Sequence, residues 1–253
     1  LIPNFEDFSW MTVVAAMGQM FYSLSIAMGV LYTYGSYIGK DVDIEKSTTQ
    51  VEIFDTAIAL LAGMMIIPAV FAFSGGDMDA LQAGPSLAFI TLPKIFASMG
   101  IGSMVGIAFF LMFLFAALTS AISLMETSVS SLQDELHLSR LKCCLIMGTV
   151  VIVAGSASAL GYGALDFVTI FGMAFLDFFD FLTNSVMMPL AALSTCILII
   201  RVVGFDKIDR EMECSSAFRR KKLYHFFLKY VAPVCIGIIL ISSIANVLGI
   251  ISL

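Results

Sequence analysis

Residues 18–38 read GQMFYSLSIAMGVLYTYGSYI. The stretch lies inside an apolar segment long enough to cross a bilayer, which takes about 20 residues of helix. Its middle carries Ser23, Ser25 and Gly29 beside Ala27 and Met28. Two readings are open from the residues alone. Small residues at helical spacing make a packing face, and serine hydroxyls satisfy themselves on their own helix. Alternatively the helix unwinds there, freeing carbonyls and amides and setting two opposed helix ends at one point. An ion and a zwitterion are suited to such a point.

The surrounding chain is of the same kind. Its 253 residues are 60% hydrophobic and 13% charged, and mean hydropathy is +1.00. Soluble domains carry about 25% charged residues, so the composition defines a polytopic membrane protein. Six spans are expected, over residues 10–38, 53–73, 101–132, 143–160, 171–200 and 226–250, in one transmembrane domain. Two of them exceed a perpendicular crossing of a core about 30 Å thick and need tilt or a break. Residues 74–100 form an outer loop with Gly-Gly and Gly-Pro, and residues 201–225 a long basic one. The chain starts at Leu1 without a signal-peptide pattern. It reads as beginning partway through a longer protein.

Orientation follows from the basic residues. With the start outside, Lys40, Lys46, Arg140, Lys142, Arg201, Lys207, Arg210 and the run Arg219–Lys222 fall inside, and only Lys94 falls outside. The run is first a topology anchor; contact with anionic headgroups is secondary. The pI near 4.8 says little where charges are so few. No nucleotide-binding loop, HExxH, GxSxG or CxxC pair occurs, so nothing points to an enzyme, a primary pump or a nucleic-acid partner. The five cysteines read as reduced thiols. His137 and His225 lie at loop edges as polar caps.

Polar residues within the spans need partners and often mark function. Asp55, at the expected start of the second span, is either a helix cap or a cation ligand. Ala116, Thr119, Ser120 and Ser123 share one helix face. With a carbonyl freed at a helix distortion, those hydroxyls would make a neutral oxygen cage for a hard cation. The same pattern also makes a packing face. Glu126 lies deeper than a loop residue and needs a partner or water. Asp177 and Asp180, at i and i+3 near the outer end of the fifth span, are a vestibule site or a solvated helix start.

The opening stretch resembles the sixth transmembrane segment of the neurotransmitter:sodium symporters, in their bacterial amino-acid branch. FLFAALTSAISLMETSVSSLQDEL (113–136) resembles the eighth, and DTAIALLAGMMIIPAVFAF (55–73) is similar to the seventh. GPSLAFITLPKIF (84–96) looks like the extracellular loop over the vestibule. The resemblance covers nearly the whole chain and implies a partial inverted-repeat, leucine-transporter-like fold holding segments six to eleven. Segments one to five would be the missing partners.

The resemblance also implies roles. Ser23 matches a hydroxyl of the first sodium site, with Asp55 aligned to the seventh-segment ligand of that site. Tyr22, Ser23, Ser25, Met28, Ser120 and Leu124 match substrate-pocket positions; Tyr22 would lid the substrate. Ala116 through its carbonyl, and Thr119 and Ser120 through hydroxyls, match the second sodium site. Gln19 and Asp180 match the outer gate. Asp134 matches the inner-gate acid, and Tyr37 its gate neighbour. Glu126 receives no role. Chloride-dependent relatives carry a serine where Ala59 stands, and Asp55 supplies negative charge itself, so chloride independence is expected. The implied activity is sodium-coupled symport of an amino acid or related small zwitterion through the plasma (inner) membrane. The rival expectation is a truncated half without transport, serving as a membrane scaffold or assembly partner.

Overall fold

The computed structural model describes residues 8–73 and 84–247. The first part of the expected outer loop and the end of the last expected span therefore lie outside the described residues. Among the described residues the protein is built from helices, with one isolated bridge between Ile170 and Met173.

The first span is two helices. α1 covers Trp10–Ser23 and α2 covers Val30–Tyr37. At 1.5 Å per residue, neither crosses a bilayer core alone. Ser9 caps α1, its side chain accepting from the Thr12 amide, and the Thr12 side chain accepts from the Ser9 amide in return. α3 covers Ile44–Phe73, α4 Leu87–Ser98, α5 Gly102–Leu136, α6 Arg140–Leu160 and α7 Phe175–Val203. The short α8 is Phe205–Met212, and α9 spans residues 221–247. Among the described residues five helices are long and apolar enough to span a membrane, and the pair α1–α2 precedes them.

Two boundaries differ from expectation. α3 begins at Ile44, well before residue 53. Asp43 caps it, with its carboxylate accepting from the Lys46 amide at 2.9 Å. That amide and the Ser216 hydroxyl hold the Asp43 carboxyl below the usual carboxylate range. Asp55 therefore lies about three turns inside the helix, and the capping explanation for it falls away. The charged turns before residue 53 are helix that continues past the apolar stretch. The basic loop 201–225 also contains helix, because Asp206 in the first turn and Arg210 in the last complement the α8 dipole.

The chain divides into two compact units. One comprises Gln50–Ile122. Its core is Val70, Leu92 and Ile95, with Ile66, Leu87, Phe96 and Phe109 packed around them. Phe109 meets Phe96 at 5.4 Å and Phe110 at 5.3 Å between ring centres, an aromatic layer that fixes α4 on α5. A Cβ at Gly102 would fall 1.5 Å from the Phe96 carbonyl oxygen, so glycine alone lets α4 end there.

The other unit comprises Asp7–Thr49 and Ser123–Leu253. Ala192 and Cys196 of α7 and Ile236 of α9 form its core, joined by Phe21 and Ala27 from the broken span. Val129 of α5 and Cys143 of α6 are fully buried. Elsewhere the long helices turn large apolar side chains outward, among them Leu141, Ile152 and Val234. Those faces suit hydrocarbon, where an exposed leucine costs nothing.

Candidate functional site: a broken helix and its surroundings

Between α1 and α2 the backbone leaves the helix through three left-handed residues, Ser25 (φ 52°), Ala27 (φ 62°) and Gly29 (φ 82°). Two of them are not glycine, and non-glycine residues hold this conformation at a cost of about 1–3 kcal/mol each. The packing-face reading does not require that cost; the unwinding reading does. α1 closes with the Leu24 amide on the Met20 carbonyl (3.1 Å) and the Ile26 amide on the Phe21 carbonyl (3.0 Å). α2 opens with the Thr33 amide on the Gly29 carbonyl (3.1 Å). The last carbonyls of α1 and the first amides of α2 therefore end at the same break. Negative and positive dipole ends meet there.

Hydroxyls lock α2 in place. Tyr32 donates to the Thr195 hydroxyl of α7 at 2.7 Å. Tyr34 and Ser123 of α5 share a hydrogen bond at 2.6 Å. Gly29 passes so close to Thr127 that a Cβ would sit 2.7 Å from its methyl. The break is thus held by α5 on one side and α7 on the other.

On the outer side, a cavity of about 360 Å³ gathers Gln19 and Tyr22 of α1 with Asp180 and Asn184 of α7. Asp180 accepts from the Asn184 amide at 2.5 Å. α7 is a π-helix over Phe181–Met187, directly after Asp180, a distortion often found at functional sites. Nearby, Asp177 accepts from the Tyr162 hydroxyl at 3.4 Å. Burial, then the Asp177 charge, raises the Tyr162 phenol above its ordinary range. The outer-gate positions expected from the sequence, Gln19 and Asp180, share one cavity with Tyr22. Ser23 ends α1, while Ser25 and Met28 lie half-buried within the break itself.

On the inner side, Glu126 has the partners its depth demanded. Both terminal guanidinium nitrogens of Arg140 donate to it, at 3.1 and 2.5 Å. The Tyr37 hydroxyl donates to Glu126 at 2.8 Å. One carboxylate so joins α2, α5 and α6. Tyr37, expected beside Asp134, makes this bond to Glu126, and Asp134 is exposed in the last turn of α5. The sequence held a signal for the pair: a membrane-depth acid followed, just past the helix end, by an arginine at the start of the next helix.

In the other unit, Ala116, Thr119 and Ser120 form an exposed face of α5. The Thr119 hydroxyl donates to the Ala116 and Phe115 carbonyls at 2.9 and 3.1 Å. α5 is a continuous helix here, without the distortion that was expected to free the Ala116 carbonyl. Asp55 is half-buried on α3. Leu124 is exposed on α5.

Membrane-length helices together with a span broken at its centre are features of transporter folds with discontinuous helices. A model of the sodium:neurotransmitter symporter family matches residues 1–250, and the chain belongs to that family. It is 33% identical over 254 residues to YhdH, a sodium-dependent transporter of Bacillus subtilis (strain 168), covering 100% of this chain and 54% of that protein. A sodium-dependent transporter of Haemophilus influenzae is 31% identical, with 96% and 52% covered. The crystal structure of MhsT in complex with L-phenylalanine superposes with a TM-score of 0.81 at 37% identity, covering 91% of this chain and 51% of that one. The chain spans about half the length of these relatives. It is a multi-pass protein of the plasma membrane, with the leucine-transporter-like fold expected from the sequence.

Proposed function

We propose that this chain supplies the broken-helix half of a sodium-coupled symporter for an amino acid or related small zwitterion. The observation that carries the reading is the break at Ser25–Gly29, kept open at the cost of two strained non-glycine residues. Opposed helix ends suit the two charges of a zwitterion. Tyr22, Ser23, Ser25, Met28, Ser120 and Leu124 line the substrate path in this reading. Ser23 and Asp55 serve one sodium ion; Ala116, Thr119 and Ser120 serve another. Gln19 and Asp180 close the outer side, Tyr37 and Asp134 the inner. The sodium-dependent names of the relatives and the L-phenylalanine bound to MhsT support both ion and substrate class. Asp55 and Ala59 favour independence of chloride. Further segments, corresponding to the first five of the family, complete both ion shells.

The test is uptake of a labelled amino-acid mixture into proteoliposomes holding the full gene product. An inward sodium gradient is compared with potassium, and chloride with gluconate. Uptake is expected to need sodium and to survive gluconate. A folded protein that takes up nothing in sodium overturns the reading and leaves the scaffold alternative.

A further inference from the structure

Away from the site, the link between α7 and α9 contains a buried carboxylate, Asp209. Asp209 projects from the polar helix α8, yet its side chain is only 7% exposed. His225 Nε2 lies 2.8 Å from Asp209 Oδ1. Lys221 Nζ lies 3.2 Å from Oδ2 and 3.1 Å from Glu213 Oε1. The Phe205 ring covers the imidazole at 4.3 Å between ring centres. α8 and the start of α9 are thus pinned together at one carboxylate.

The link is also docked and jointed. Glu45, in the first turn of α3, accepts from the Arg219 amide at 3.0 Å and faces the Arg220 side chain at 3.8 Å. Asp43 takes the Ser216 hydroxyl. Both helices that feed the link are π-helical next to it, over Ile199–Val203 and Phe227–Val231. Gly204, with φ 80° and ψ 147°, makes the corner into α8, a conformation open to glycine. A pin, a dock and two π-helical turns thus bound the segment.

We infer that Asp209 and His225 form a proton-operated clasp, in which protonation of His225 from the cytosol converts their hydrogen bond into an ion pair and shuts residues 204–226 against the foot of α3, slowing the inner opening. Imidazole is the side chain whose charge changes near neutral pH. The groups facing it are Asp209 and Phe205 from α8, and Lys221 and Tyr224 from its own helix. Glu213 reaches it through Lys221, and Cys196 and Tyr32 lie within electrostatic reach of Tyr224. Among these the Asp209 carboxylate makes the direct bond, so acid tightens the clasp. Asp209 itself stays ionised in this range: burial raises its carboxyl, and the bonds from His225 and Lys221 outweigh that and hold it low.

The regulatory part rests on the transport reading, so two readouts are needed. Nitrogen-15 NMR of labelled histidine in the full gene product, in nanodiscs, follows the His225 titration directly and requires no transport. His225→Gln assigns the signal. Asp209→Asn is expected to change its inflection, because the carboxylate 2.8 Å from Nε2 is removed. An unmoved inflection overturns the clasp. In proteoliposomes with fixed outer pH, lowering the inner pH from about 8 to about 6 is expected to slow uptake about fivefold in the wild type. His225→Gln keeps an amide for Asp209 but does not titrate, and should respond flatly. An equal response in the two proteins overturns the regulatory role, whatever the NMR shows.

Discussion

Gly29 bears two separate demands. Its φ of 82° disfavours any side chain, and a Cβ would press on the Thr127 methyl at 2.7 Å. Gly29→Ala should therefore destabilise the protein by about 1–3 kcal/mol. Adding Thr127→Ser removes the methyl and should return part of the loss, while the backbone part stays. Thermal melting of the single and double variants checks this; full recovery would mean that the backbone is not strained. Ser23, at the end of α1, carries the sodium assignment. Ser23→Ala should raise the half-saturating sodium concentration about tenfold, the scale of one oxygen bonded to a charge. Unchanged sodium affinity would remove Ser23 from the ion shell. At this scale the sequence exposed the break through its serines and glycine. It did not expose Ala27 as strained, because alanine is the best helix former and signals nothing at a left-handed position. The Glu126 partner was signalled only indirectly, by an arginine just past the end of α5, because Arg140 becomes a neighbour once α5 turns into α6.

Each helix carries its own lesson. Hydropathy located the membrane parts of α3 and α5 well, since uninterrupted apolar runs must be helical in lipid. It could not locate where α3 starts, because turns beyond the bilayer are charged and read as loop. The Asp43 cap marks that start. Asp43→Ala should speed amide exchange of Lys46 while leaving the middle of α3 unchanged. Acid should mimic the change. The folded Asp43 carboxyl titrates below its ordinary value, so the cap is complete above that value and is lost as pH falls through the lowered one. A cap insensitive to pH below about 4 would contradict this. α2 depends on its two tyrosine hydroxyls. Tyr32→Phe and Tyr34→Phe should each cost about 1 kcal/mol. They should combine additively if α7 and α5 hold the helix independently, and a thermal double-mutant cycle measures the coupling.

For the molecule as a whole, the two compact units divide the expected ligands between them. Ser23 belongs to one unit, and Asp55, Ala116, Thr119 and Ser120 to the other. The face of Ala116, Thr119 and Ser120 is exposed, and its oxygens come from one side of a single helix. A hard cation surrounds itself with oxygen ligands, so a one-sided trio does not close a shell. In the proposed reading the remaining ligands come from other segments of the family fold; the chain spans about half the length of its relatives. The sequence could show the half-shell as a hydroxyl stripe, but a stripe and a packing face look alike until something packs on it. Sodium titrations separate the two. The 253-residue chain in nanodiscs should show no saturable sodium binding by sodium-23 NMR at concentrations that saturate the full gene product. Thr119→Ala and Ser120→Ala should weaken sodium binding in the full gene product. If the stripe is only a packing face, the substitutions should shift the melting temperature of the full gene product and spare its sodium affinity.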